Sequence, residues 1–366
     1  MISYLCSMLK RIHFIGFGLI AASLASAVRK VRPEILLSAQ SLDDGADFGV
    51  SEKLLDLKDE SQNLTNPNET LVIVAVPMNA YESIFEKLAS HHYSGWITDV
   101  GSVKNVPAQM AKKFNLNYFG GHPMAGSEKN TAKNYNPILF ENAIFVITSK
   151  PLNTISDEYV SLLQELGALT LELTNEEHDQ IAATISHLPQ LLAVSLVDYT
   201  RSFNDQQKAY LQLAAGGFRD MTRIASSPAG IWKDILHTNH TNIVERLDGF
   251  ISYLNDLKTD LEKHNTEPVL ERFKKAKITR DSIPRNTKGF LHALSDLYVY
   301  VQDEPGVIYK LSKILFENGI NIRDIELLKV REGHQGAFRV AFSNDAHMLK
   351  AKELMESIGF KTQIVH

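Results

Sequence analysis

Six apolar runs of strand length punctuate the first half of the chain, each closed by glycine, proline or polar residues. They are Arg11–Ile15, Glu34–Gln40, Leu71–Val76, Trp96–Val100, Ile144–Thr148 and Leu169–Leu173. The central ones, Leu71-Val72-Ile73-Val74-Ala75-Val76 above all, do not alternate, which is the pattern of strands buried on both faces of a parallel sheet. Helical stretches lie between them, after Gly18 and around Asp157–Leu166. Residues 8–174 therefore read as an α/β domain of Rossmann type. From Asn175 to about Arg280 the pattern changes to long helices with few turn signals, and 175–283 reads as an all-α domain with an extensive apolar interface, where a homodimer is expected. A linker, 284–294, follows. In 295–366, Tyr298–Val301 alternates as a strand, Asp303-Glu304-Pro305-Gly306 turns, and Val307–Asn318 is an amphipathic helix. Strands over Ile320–Val330 and Ala337–Phe342, a helix over Met348–Ile358 and a last strand complete a βαββαβ order, that of a ferredoxin-like module.

Composition narrows this picture. At 366 residues and 44% hydrophobic, the chain can fill full cores and is too long for one of them. A net charge of -5 supplies no field that would draw nucleic acid or an anionic membrane surface. The single cysteine, Cys6, fits a reducing compartment, and a cytoplasmic location is expected. No apolar run approaches the length of a membrane span, and Met1–Lys10 is a poor signal peptide. The basic stretch Arg272–Lys288 has few aromatics and reads as a solvated helix and linker. No metal site is expected.

The candidate chemistry gathers at strand ends. Gly16-Phe17-Gly18-Leu19-Ile20-Ala21 makes a G-x-G-x-x-A between strand and helix, where a pyrophosphate could rest on backbone N–H groups; the alternative is an ordinary tight turn. The second strand carries no acidic residue where an adenosine ribose would want one. Gln40, Ser38 or Ser41 could serve, and without a nearby arginine NAD stands ahead of NADP. Val76, Pro77, Asp99, Gly101 and Ser102 to Lys104 follow strand ends and should converge on one crevice with His122. His122 sits in Phe119-Gly120-Gly121-His122-Pro123-Met124-Ala125-Gly126-Ser127-Glu128, an imidazole between glycines and a proline; a functionless surface turn is the alternative. In the helical region His187 and Gln190 share a face, and Pro189 should bend the helix there. His178 precedes His187 by nine residues, half a turn out of phase, and is read as a surface residue. Arg219 and Arg223, four apart after Gly216-Gly217, could hold a carboxylate or pair with Asp220.

Taken together, the ordered motifs Gly16-x-Gly18-x-x-Ala21, Thr98–Lys104, Gly121–Ser127, Ser186–Pro189 and Gly216–Ala225 resemble the prephenate dehydrogenases. The C-terminal module looks like an ACT domain, through its Asp303–Gly306 turn and Gly319-Ile320-Asn321-Ile322 strand entry. The resemblance implies NAD-dependent oxidative decarboxylation of prephenate to 4-hydroxyphenylpyruvate. It implies that His122 accepts the substrate hydroxyl's hydrogen bond, that Ser102 orients His122, and that Arg223 holds a carboxylate. His187, Gln190, Ser127 and Glu128 would line the substrate pocket. One departure is that Gln190 stands where relatives carry a second histidine. Tyrosine is the implied effector, near Asp303, Pro305, Gly306, Val307 and Asn321. Arogenate dehydrogenase and a catalytically silent amino-acid sensor are the alternatives.

Overall fold

The computed structural model describes residues 9–59, 64, 66–126, 131–204, 208–283, 294–302, 304–328 and 336–364. Ser127 and Glu128, expected at the substrate pocket, and Asp303, expected at the regulatory pocket, lie outside the described residues, as does most of the expected linker. The chain divides into two compact units, one reaching Val269 and the other Leu270–His366.

In the first unit, β1 (Arg11–Ile15), β2 (Leu36–Gln40), β3 (Leu57–Lys58), β4 (Thr70–Val74), β5 (Trp96–Asp99) and β6 (Asn117–Tyr118) form a parallel sheet ordered β3-β2-β1-β4-β5-β6. Every residue of β4 is buried, so its unbroken apolar run follows from helices lying on both faces. Ile12 and Phe14 pack with Ala22, Leu24 and Val28 of α1 (Leu19–Val31) in one core, which Phe48 of α2 (Gly45–Ser51) flanks. Val72 and Val74 pack on the other face with residues of α3 (Tyr81–Ser90) and α4 (Asn105–Lys113). The strand order reverses between β1 and β4, which opens a crevice at their carboxyl ends. A second sheet follows: β7 (Gly120–Pro123) antiparallel to β8 (Ile144–Thr148), and β9 (Leu169–Leu173) parallel to β8. Tyr159 and Leu162 of α5 (Thr154–Glu165) bury into the first core.

Thr174 and Glu177 form a capping box that starts α6 (Asn175–Ala182). A five-residue π-helix, Ala183–His187, leads into α7 (Leu188–Asn204). Pro189 has no N–H to offer the preceding turn, and the distortion expected there falls in this widened stretch just before it. Continuity through the π turn makes a 29-residue helical run, Asn175–Phe203, within which an 18-residue window has mean hydropathy 1.3. By length and composition alone it passes the test for a membrane span, as the core helix of a soluble protein also does, and no unbroken apolar run of that length occurs in it. Polar residues such as Thr184, His187 and Gln190 interrupt its apolar ones.

The remaining helices are α8 (Ala209–Gln212), α9 (Gly216–Thr222), α10 (Ala229–Thr238), α11 (His240–Glu262) and α12 (Thr266–Ser282). Their own core is small, built on Ala183, Ile235 and Ile243. Ile185 at 61% and Tyr253 at 53% exposure belong to an apolar surface that a single chain leaves uncovered.

The second unit runs β10 (Ser295–Val301), α13 (Val307–Glu317), β11 (Asp324–Leu328), β12 (Gly336–Phe342), α14 (Asp345–Ser357) and β13 (Lys361–Ile364). Its sheet is antiparallel, ordered β11-β12-β10-β13. Leu297, Val299 and Val340 meet Leu311, Leu315, Met348 and Met355 in a separate core.

Gly16 carries the tightest demand of the first strand–helix turn. Its φ is +89°, and a Cβ there would lie 2.5 Å from the Ala75 carbonyl oxygen. Gly16→Ala should cost about 1–3 kcal/mol in urea unfolding; unchanged stability would show that the turn tolerates a side chain.

Candidate active site

The crevice beyond β1 and β4 has a volume of about 1510 Å³. It is lined by Gly16, Phe17, Gly18, Leu19, Ile20, Gln40, Val76, Pro77, Gly101, Ser102 and His122, so most residues expected at a cofactor share one cavity. Gly18 caps α1 without a side-chain bond, which leaves first-turn N–H groups to take an anion. Close backbone approach at Gly16, an open helix end and a long crevice together fit a dinucleotide. Asp43, Asp44 and Asp47 also line the cavity beside Gln40.

Asp99 departs from expectation. It is fully buried, does not line the crevice, and pairs with the equally buried Lys104 at 2.5 and 2.6 Å. Its oxygens also accept from Tyr81 Oη, Tyr118 Oη, Gly101 N and Gly121 N, at 2.9 to 3.0 Å. Lys104 Nζ donates a further 2.6 Å bond to the Gly121 carbonyl oxygen. A buried ion pair is tolerated when its remaining hydrogen-bonding capacity is met, and here it is. The pair ties β5 to the glycine pair of β7: a Cβ on Gly121 would stand 2.5 Å from Asp99 O, and one on Gly120 2.6 Å from Lys104 Cδ. Asp99 and Lys104 thus set the backbone that presents His122. The sequence signal was a charged pair five apart at the end of an apolar strand, which reads equally well as crevice lining.

His178 requires the largest correction. It is 2% exposed, and its Nε2 lies 2.8 Å from His122 Nδ1. Its Nδ1 lies 2.8 Å from Asp179 Oδ1. Asp179 in turn accepts from the backbone N–H groups of Lys104 and Asn105 at 2.8 and 2.9 Å, at the start of α4. Two features of the helix bring His178 inward, against the expectation of a surface residue. The π turn advances less per residue than the 100° of an α-helix, and α6 is packed into the seam between sheet and helical bundle, so that more than one of its faces is covered.

His187 is buried, with its ring edge-on to Trp232 at 6.0 Å. Asn239, which the sequence did not single out, donates from Nδ2 to Asp179 O at 2.8 Å and to His187 Nδ1 at 3.2 Å. His187 Nδ1 is therefore an acceptor, and the neutral ring carries its proton on Nε2. Gln190 is 5% exposed and donates to Ile224 O at 3.0 Å, so its amide nitrogen braces the 3₁₀ turn Arg223–Ser226 that carries Arg223. Arg219 and Arg223 are exposed; α9 ends at Thr222, so the two do not share one regular helix.

The electrostatics suit a neutral base. Burial first, then the charge of Lys104 and the neighbouring His178 and His187, hold His122 well below the ordinary histidine value. Burial lowers His187 to about 4. Burial, with Asp99 beside them, pushes the hydroxyls of Tyr81 and Tyr118 well up, so both stay donors.

A doubly wound sheet with an open helix N-terminus, beside a crevice-lining histidine held neutral, defines a nicotinamide-dependent dehydrogenase. Which family is settled by comparison with known proteins. Residues 24–169 match the model of the prephenate dehydrogenase nucleotide-binding domain, and 174–275 that of the prephenate dehydrogenase dimerization domain. The chain is 34% identical over 350 residues to the prephenate dehydrogenase of Bacillus subtilis, covering 93% of this chain and 94% of that protein. It is 30% identical to that of Lactococcus lactis, covering 95% and 98%. Among solved structures, the Aquifex aeolicus prephenate dehydrogenase in complex with hydroxyphenyl propionate and NAD+ superposes with a TM-score of 0.68 at 26% identity, over 75% of this chain and 98% of that one. The protein belongs to the prephenate dehydrogenase family and is an NAD-dependent dehydrogenase.

Lys104→Met removes one partner of the buried pair and leaves Asp99 uncompensated. Unfolding free energy should fall by about 3–5 kcal/mol in urea titrations; a loss below about 1 kcal/mol would deny the pair its structural role.

Proposed function

We propose that the protein oxidatively decarboxylates prephenate to 4-hydroxyphenylpyruvate. The observation that carries this reading is His122, held neutral at the crevice beside Ser102 and next to the site fitted for the nucleotide. Bound NAD supplies the hydride acceptor. His122 takes the carbinol hydroxyl's hydrogen bond as hydride leaves, Ser102 approaches the same hydroxyl from the crevice wall, and the buried His187 lies behind them with its proton on Nε2. Arg223 reaches for a substrate carboxylate from the turn that Gln190 braces. Loss of carbon dioxide restores the aromatic ring and drives the reaction, so the protein needs to supply position and one base. Asp44 and Asp47 are paired with Lys133 and Lys58, and Asp43 near Gln40 is left as the carboxylate that disfavours a 2′-phosphate, which supports NAD over NADP. Of the relatives, one from Zymomonas mobilis, 28% identical over 287 residues, is a cyclohexadienyl dehydrogenase, so arogenate is the second substrate to test.

The uncovered apolar surface of the helical region, within residues that match a dimerization domain, supports a homodimer formed there. The apolar stretch of the long helix Asn175–Phe203, one third buried in the single chain, contributes Ile185 to that surface. The βαββαβ order and sheet order of the second unit support a ferredoxin-like ACT module. In it the left-handed Gly306, with φ +87°, caps α13 next to the exposed Pro305 and buried Val307, while Asn321 lies exposed beyond the far end of that helix. We assign tyrosine feedback inhibition to this module.

Absorbance of the reduced nicotinamide, followed with prephenate and arogenate against NAD and NADP, should show prephenate with NAD as the fastest pair. His122→Asn should lower kcat by at least about 100-fold; near-normal turnover would remove the imidazole from the mechanism. Because His122 is held low, kcat/KM should stay level down to about pH 6.5 and fall only below it. Tyrosine added to the full-length enzyme should inhibit, and a rate unchanged at millimolar tyrosine would sink the regulatory assignment.

A further inference from the structure

Asp179, His178 and His122 form a continuous hydrogen-bonded chain from the start of α4 to the crevice. The proton positions along it follow from the donors and acceptors. An ionised carboxylate only accepts, so His178 Nδ1 donates to Asp179 Oδ1. In neutral His178 the other nitrogen, Nε2, is then an acceptor. The partner 2.8 Å away, His122 Nδ1, must therefore be the donor. That leaves His122 Nε2 without a proton, the state in which it can accept from a substrate hydroxyl.

We propose that His178 is a positioning and proton-relay residue: it fixes the reactive tautomer of His122 and takes the charge when His122 accepts the hydroxyl proton. The inference rests on the role given to His122 above. As hydride leaves the carbinol carbon, the O–H bond breaks, the carbon–oxygen double bond forms, and the proton goes to His122 Nε2. The proton on His122 Nδ1 moves to His178 Nε2, so the positive charge comes to rest against Asp179. Loss of carbon dioxide turns the ring carbonyl into a phenolic oxygen, which takes the proton back from His122 Nε2 while His178 returns its own. No net proton is consumed, and the relay holds one only between the two bond-breaking events. The charges around the chain favour this direction of travel. Lys104, whose Nζ bonds the Gly121 carbonyl oxygen next to His122, opposes a cation on His122, whereas His178 has the Asp179 carboxylate 2.8 Å from its Nδ1. Lys104 is itself neutralised by Asp99 on its far side.

A single proton added to the pair disables it wherever it sits, because in both arrangements His122 Nε2 becomes N–H. His178→Gln separates relay from packing, since a glutamine carbonyl oxygen can still accept from His122 Nδ1–H but cannot carry charge. We expect kcat to fall by about 10-fold or more with KM within about twofold, and the acid limb of the kcat profile to move to lower pH by about one unit. Wild-type kcat with an unshifted acid limb, or a loss confined to KM, would overturn the relay. If His178→Gln does not fold, ¹⁵N-histidine NMR of the wild-type enzyme decides: the His122 signal, identified by its absence in His122→Asn, should show Nδ1 protonated and Nε2 bare. A proton on Nε2 at neutral pH overturns the proposal. Should His122→Asn stay active, the reading of His122 fails; should it lose activity while His178→Gln keeps it, only the relay fails.

Discussion

The buried Asp99–Lys104 pair is the interaction on which the site depends. Two charges without solvent contact persist because each has its full set of partners: two tyrosine hydroxyls and two backbone N–H groups for Asp99, and both carboxylate oxygens plus the Gly121 carbonyl for Lys104. Such a pair contributes little net stability against an apolar replacement, and its value lies in geometry. It draws the end of β5, the start of α4 and the glycines of β7 to a common point. The close packing that results leaves room for glycine alone at Gly120 and Gly121, and it delivers His122 to the crevice at a fixed height above the sheet.

The second requirement is met from outside the sheet. Asp179 sits on the first helix of the helical region, yet its carboxylate caps the N-terminus of α4 on the nucleotide-binding side, and its backbone oxygen anchors Asn239. One residue therefore couples the orientation of two histidines with opposite duties. Through His178 it leaves His122 an acceptor, and through Asn239 it leaves His187 a donor. The division of labour comes from which ring nitrogen each neighbour occupies and needs no difference in residue type.

Much of the fold was legible from the residues in order. Unbroken apolar runs such as Leu71–Val76 can belong only to strands or helix segments buried all round, and glycine breaks at Gly16 and Gly18 gave the strand–turn–helix its place. The crevice followed, because strand ends converge in any doubly wound sheet, and His122, Ser102, Gly101 and Pro77 were found there. These are local features, set by periodicity and turn chemistry.

What the linear order could not determine was which polar groups face each other. Asp99 and Gln40 both follow strands and look alike as crevice candidates, but a second charge five residues on turned Asp99 inward. His178 looked like a surface residue because a regular helix was assumed, and a π turn of five residues changed its relation to His187. Gln190, expected to share a face with His187, also braces Ile224, thirty-four residues away, a contact its place in the helix does not announce. The sequence by itself determined the strands, the turn chemistry and the imidazole at the crevice, because these depend on neighbours along the chain. Only the tertiary structure decided the protonation geometry of that imidazole, because a hydrogen-bond network depends on partners up to seventy-five residues apart that meet when the helical region closes on the sheet.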